Sequence, residues 1–226
     1  MKIIIIGGTG TACVVADQIL NAISSFGLKD ELLGFAFNDE YVDNVMGYPV
    51  LSKNYFGLAE QFEKYDDVRF LYLLYRFDKI KARAEFRDSF NIPLEKYYNF
   101  IHPLAYVAGS AKIGYGNILL ANTVINSNAV MGNFNTFNSS CLVGHDTIIG
   151  SNNFSAAHTC IGSGLTIGNY NFFGINCTLK NKLTIGDNVL VGQASNVLKN
   201  LDDNTICFGN PAVNKGFNDP DKPCWG

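Results

Sequence analysis

The sequence predicts a two-part chain of mixed class: a small α/β unit over residues 1–98, a parallel β-helix over 99–201, and a tail at 202–226. Three observations point there. Short apolar runs alternate with helix-like stretches up to about residue 98, large apolar residues then recur at every sixth position, and positions eighteen apart carry matched side chains. Alternating strand and helix argues for a parallel sheet covered by helices. A fixed period argues for stacked repeats.

In the first part, Ile3 to Ile6 reads as a buried strand and Gly7-Gly8-Thr9-Gly10 as a tight turn. Val14 to Phe26 reads as a helix, with Val15, Ile19, Ala22, Ile23 and Phe26 on its apolar stripe. Leu32 to Phe37 and Val68 to Tyr75 are the next strands, and Lys79 to Phe90 a helix ending before Pro93. The unit is Rossmann-like, although a GxGxxG dinucleotide fingerprint is absent.

From Ile101 to Val197, seventeen positions six residues apart carry a large apolar side chain in sixteen cases, the exception being Ser155. The next residue is glycine nine times. Neither a 3.6-residue helix nor a two-residue strand repeats at six. A triangular coil does: three flat faces per turn, eighteen residues per coil, coils stacked at about 4.8 Å like strands in a sheet. In that register Ala105, Thr123, Cys141, Thr159, Cys177 and Ser195 form a column of small corner residues. Asn117, Asn135, Asn153 and Asn171 form another, which can hydrogen-bond as a ladder along the axis.

Composition excludes several classes. With a net charge of −3 and scattered lysines and arginines, no basic stripe is available for nucleic acid. Met1 to Ile6 is too short for a signal peptide's apolar core, and no run reaches the length of a membrane span. The reading is therefore a soluble, cytoplasmic protein. Six cysteines, at 13, 141, 160, 177, 207 and 224, are spread without a CxxC pair and read as reduced small hydrophobes.

Three histidines narrow the search for chemistry. His102 precedes Pro103 and suits a packing role at the junction. His145 sits inside a coil and is followed by Asp146, a carboxylate able to orient the ring. An imidazole is matched to taking a proton near neutrality, and a surface histidine between repeats is the other reading. His158 either lines a ligand channel or is an exposed corner. The glycine turn at the start of the first helix suits an anion such as a diphosphate, or is simply a strand-to-helix turn.

The chain resembles the left-handed β-helix acyltransferases, in particular sialic acid O-acetyltransferases and bacterial nucleotide-amino-sugar N-acetyltransferases. The resemblance rests on the glycine-rich run and Val-Val-Ala-Asp within residues 5–17, Ile101-His102-Pro103, Val143-Gly144-His145-Asp146, and Phe208-Gly209-Asn210-Pro211-Ala212. It implies a left-handed coil, a homotrimer with sites at subunit boundaries, and transfer of an acetyl group from acetyl-CoA to a UDP- or dTDP-linked amino sugar for surface glycan synthesis. It implies His145 as general base beside Asp146, since Gly144 stands where some relatives carry an acid. Asn138 matches an asparagine near the base, or serves turn chemistry. The nucleotide-sugar site would comprise Gly8, Thr9, Gly10, Thr11, Asn38 and Asp39, with Thr11 and Ala12 where relatives have histidine and glycine. The coenzyme A site would comprise His158, Gly162, Ser163, Gly174, Ile175, Gly192, Gln193 and Pro211, the Ser163 N–H facing the thioester carbonyl. No metal is implied. A sugar O-acetyltransferase is the close alternative; a γ-type metal hydratase and a non-catalytic nucleotide-sugar-binding scaffold are alternatives of other classes.

Overall fold

The computed structural model describes residues 1–65 and 67–219, so Cys224 lies outside the described residues. The α/β unit is built on β1 (Lys2–Ile6), whose four isoleucines are buried on both faces. It pairs in parallel with β2 (Glu31–Ala36) and β5 (Val68–Tyr72). Helix α1 (Thr11–Phe26) packs Ala12, Val15, Ala16, Ile19 and Ala22 inward and ends at Gly27 in the left-handed conformation. It starts three residues before the apolar stripe implies, because its first turn buries only Ala12. A hairpin absent from the sequence reading, β3 (Asn44–Val45) and β4 (Tyr48–Ser52), extends the sheet to the order β3-β4-β2-β1-β5. Its turn has positive φ at Met46 and Gly47, and Pro49 masks β4 as a strand. Gly34 on β2 makes room for it: a Cβ there would stand 2.3 Å from the Pro49 carbonyl oxygen. Two helices follow, α2 (Leu58–Gln61) and α3 (Ile80–Asp88).

The remainder is a parallel β-helix. Each two-residue rung pairs with the rung eighteen residues away: Phe100–Ile101 to Leu190–Val191 form the first face, Tyr106–Val107 to Asn196–Val197 the second, and Lys112–Ile113 to Thr184–Ile185 the third. The six-periodic residues point to the axis and form one core, from Leu119 through Phe137 and Phe173 to Val197. From Gly116 to Ala194, every sixth residue has a φ between 53° and 69°. Asparagine and glycine visit that region at least cost, which accounts for their frequency here. The asparagine column is a continuous ladder: each side-chain oxygen accepts the N–H of the next coil, from Asn99 to Val189, at 2.7–3.0 Å.

Ser155, the one polar member of the period, is fully buried between Phe137 and Phe173 in the same column, so a small side chain offsets two large ones. Its hydroxyl has no hydrogen-bond partner among the described residues. Ser155→Ala should therefore hold or slightly raise the unfolding midpoint in denaturant, whereas Ser155→Leu should cost about 1–3 kcal/mol by overpacking.

The period breaks after Val197. Leu201 bridges to Ile185 and Ile206 pairs with Leu190, sixteen residues apart instead of eighteen. The tail then extends the first face with Thr205–Gly209 and turns back antiparallel over Ala212–Phe217.

The α/β unit covers the first face. Phe100, Ile118 and Leu120 join the core of β1 and α1. Tyr75 stacks on Phe154 at 4.0 Å between centroids, and Phe77 lies 5.7 Å from Phe172. Arg87, 5% exposed, bonds Asn152 Oδ1 at 2.6 Å and lies 3.5 Å above the Phe134 ring. Gln18 of α1 bonds Ser139 Oγ and the Ala121 N–H. No helix among the described residues is long and apolar enough to cross a membrane.

Candidate functional site

Three sets of candidate site residues occupy separate places. The first is the turn between the second and third faces, where Val143 points to the axis and His145 projects outward. Gly144 is required there: a Cβ would stand 2.4 Å from the Gly162 carbonyl oxygen of the next coil. An acidic residue at that position is thus sterically excluded, and the following Asp146 carries the carboxylate. Asp146 takes the left-handed conformation, φ 57°, which turns its carboxylate back onto the ring, with Oδ2 2.6 Å from His145 Nδ1. Its other oxygen accepts from Asn128 Nδ2 at 3.0 Å, and the Asn128 N–H donates to Ser110 Oγ. The hydrogen bond from His145, then that from Asn128, hold the Asp146 carboxyl below the usual carboxylate range. His145 is well exposed, and its Nε2 has no hydrogen-bond partner among the described residues. A ring fixed at Nδ1 and open at Nε2 can accept a proton from a ligand.

Gly162 and Ser163 stand one coil beyond, on the same turn. The Ser163 N–H donates to Asn181 Oδ1 at 3.0 Å, so the donor expected to face a thioester is already engaged within the chain.

The second set lies on the turn between the first and second faces. Gly174, Ile175, Gly192 and Gln193 line one wall of a groove of about 440 Å³; Phe77, Phe172, Leu190 and Phe208 supply the rest. The aromatic residues were missing from the sequence reading, since Phe77 and Phe208 reach the groove only through domain packing and the tail hairpin. Gly192 is needed for that closure, as a Cβ would stand 2.7 Å from Phe208 Cβ. His158 is on this same turn one coil earlier, at φ 61° and exposed, and does not line the groove. Pro211 lines a different cavity, at the end of the prism beside Leu198 and Lys199. Asn138 shares the column of Gly174 and Gly192, away from His145 within the chain, and its Oδ1 is buried without a partner among the described residues.

The third set is the glycine loop, one wall of a second cavity of about 440 Å³. Gly8, Thr9, Gly10 and Thr11 line it, and their N–H groups have no acceptor among the described residues. Gly8 admits the Phe37 ring, which a Cβ would meet at 2.5 Å. Asn38 and Asp39 do not line this cavity: the Asn38 N–H donates to Tyr55 Oη and Asp39 Oδ1 caps the Tyr41 N–H. Arg76 and Arg83 do line it, and sequence reasoning did not find them.

His102 is 2% exposed at the junction; its Nδ1 accepts the Leu104 N–H, its ring packs edge-on against Phe26, and burial pushes its pKa down. Burial likewise pushes Cys141 and Cys177 up to about 12, as expected of inert corner thiols. Among the described residues no three histidine, cysteine, aspartate or glutamate side chains come together in a group able to hold a metal.

No family model and no curated protein sequence matches the chain. Solved structures do. Perosamine N-acetyltransferase PerB from Caulobacter crescentus, in complex with CoA and GDP-perosamine, is 23% identical, with TM-score 0.77 over 96% of this chain and 98% of its own. The acetyltransferase domain of PglB from Neisseria gonorrhoeae, in complex with acetyl coenzyme A, is 21% identical, with TM-score 0.76 over 95% and 98%. WeeI from Acinetobacter baumannii is 21% identical, with TM-score 0.76 over 95% and 100%. From its α/β unit to its tail, this chain therefore has the fold of these proteins.

Proposed function

We propose that the chain is a cytoplasmic acetyl-CoA-dependent N-acetyltransferase acting on a nucleotide-linked amino sugar, with His145 as general base. The observation that carries this reading is the exposed His145 ring, fixed by Asp146 and Asn128, on the same prism as an apolar groove and in the same chain as a glycine-loop cavity of the α/β unit. The shared fold supports it, two of the three neighbours having CoA or acetyl coenzyme A bound and one of those GDP-perosamine as well.

The neutral amine of the sugar attacks the thioester carbonyl, and His145 Nε2 takes the amine proton as the C–N bond forms. Collapse of the tetrahedral intermediate breaks the C–S bond. The departing thiolate receives that proton, so an amine and a thioester become an amide and a thiol. Asp146 stabilises the imidazolium that exists between the two transfers.

Within one chain the base and the groove lie on different corners of the prism, which supports a site shared between copies, and a homotrimer is the assembly we propose. Leu142 and Ile148, which flank the turn of His145, and Val130 on the neighbouring coil are 37%, 52% and 39% exposed. Covering them with another copy would carry His145 to that copy's groove.

The test is acetyl transfer from acetyl-CoA to a panel of UDP-, dTDP- and GDP-linked amino sugars, alongside free amino sugars and sialic acid. Transfer to a nucleotide-linked amine supports the reading; transfer to a sialic acid hydroxyl alone would replace it with O-acetylation. Asn128→Ala should lower kcat about fivefold with KM unchanged, since it frees the Asp146 carboxylate that fixes the His145 ring, and should lower the unfolding midpoint only as far as Asn122→Ala does, both positions having the left-handed conformation at φ 60–61°.

A further inference from the structure

We propose that the glycine-loop cavity is a diphosphate site whose positive wall is Arg83, assisted by Arg76, and that this wall makes a diphosphate-linked substrate obligatory. The inference rests on the reading that the chain acts on a nucleotide-linked sugar, and adds the residues that select it.

One side of the cavity is the loop before α1, with the unpaired N–H groups of Gly8 to Thr11. These groups and the N-terminal end of the helix favour an anion. The opposite side comes from the segment after β5 and from α3, which bring Arg76 and Arg83 into the same cavity. Among the described residues no aspartate or glutamate lines it.

The two arginines are not equivalent. Arg76 is held in a two-bond pair with buried Asp78, at 2.9 and 2.5 Å, so much of its charge is already matched. Arg83 is half-buried, and its guanidinium has no hydrogen bond or ion pair among the described residues. A guanidinium withdrawn from water without a partner costs free energy that a bound anion would recover. The Tyr75 hydroxyl, at the edge of the same cavity, is also buried without a partner among the described residues. Unpaired donors on both walls, one uncompensated cation and no acid match a diphosphate, which offers two charges and many acceptors. A neutral free sugar offers acceptors but no negative charge, so the cavity would discriminate against it by charge.

The experiment is calorimetric titration of the intact protein with UDP, GDP, inorganic pyrophosphate and uridine, for wild type, Arg83→Gln, Arg83→Lys and Arg76→Gln, with CoA as the control ligand. Arg83→Gln should weaken UDP or GDP about tenfold to a hundredfold, as expected for a lost charge-assisted hydrogen bond. Arg83→Lys should recover part of the loss, Arg76→Gln should cost less, pyrophosphate should compete with the nucleotide, and CoA binding should not change. Wild-type nucleotide affinity in Arg83→Gln with CoA binding intact would overturn the inference. The two levels separate cleanly. Arg83-dependent pyrophosphate binding with no acetyl transfer to any nucleotide-linked amine would overturn the reaction alone. Transfer with nucleotide affinity indifferent to Arg83 would overturn this assignment alone.

Discussion

His145→Ala should lower kcat for acetyl transfer by about 10²- to 10⁴-fold while leaving the affinity for CoA and for UDP or GDP unchanged. The magnitude is that of removing a positioned general base, and the unchanged affinities follow because neither cavity is lined by His145. A sharper form of the experiment uses the separation of base and groove. Gln193→Trp should fill the groove and abolish CoA binding while leaving the His145, Asp146 and Asn128 array intact. Each variant alone is then inactive, for different reasons. If the base of one copy serves the groove of its neighbour, refolding the two together yields assemblies in which some boundaries pair an intact base with an intact groove, and activity returns. If base and groove act within one chain, the mixture stays as inactive as its components. Sedimentation of the same samples separates failure to assemble from failure to share a site.

Much of this architecture is legible in the sequence because a six-residue period has one simple three-dimensional solution, and Ser155 reads as an exception only because its neighbours hold the register. The covered face differs in its outward residues. On the first face these are Phe100, Ile118, Thr136, Phe154, Phe172 and Leu190, apolar at all but one, whereas the third face mixes Val130 and Ile148 with Lys112, Thr166 and Thr184. Positions eighteen apart share a turn and positions twelve apart do not, so Gly162 belongs with Gly144 and His145, and Gly174 with Gly192. That arithmetic divides the expected coenzyme A residues between two corners before any coordinates are seen. What no local pattern contains is Arg83: its place in the cavity depends on α3 folding back over a loop more than seventy residues earlier in the chain. Phe208 is the same case, since a shortened last coil is what brings the tail hairpin to the groove.

The asparagine ladder sets the largest expected loss of stability from a single polar substitution. Asn135 is fully buried; its side-chain amide donates to the Gly150 carbonyl and to Asn117 Oδ1, and its Oδ1 accepts both the N–H and the side-chain amide of Asn153. Asn135→Ala removes all of these at once. The Asn153 amide keeps its bond to Gly168 and Asn117 Oδ1 keeps the Asn135 N–H, so two groups are orphaned, the Asn153 N–H and the Gly150 carbonyl. At about 1–3 kcal/mol for each buried group left unpaired, the cost is roughly 2–6 kcal/mol, or about 4–24 °C in unfolding midpoint for a chain of this size. Asn135→Asp keeps the acceptor but buries a carboxylate and loses the donors, so it should be no milder. The exposed turn position Asn122 is the control, where alanine gives up only the left-handed preference at φ 61°. A thermal unfolding series over these variants tests the account directly: equal losses at Asn135 and Asn122 would mean that backbone conformation, and not the buried ladder, holds the coils in register.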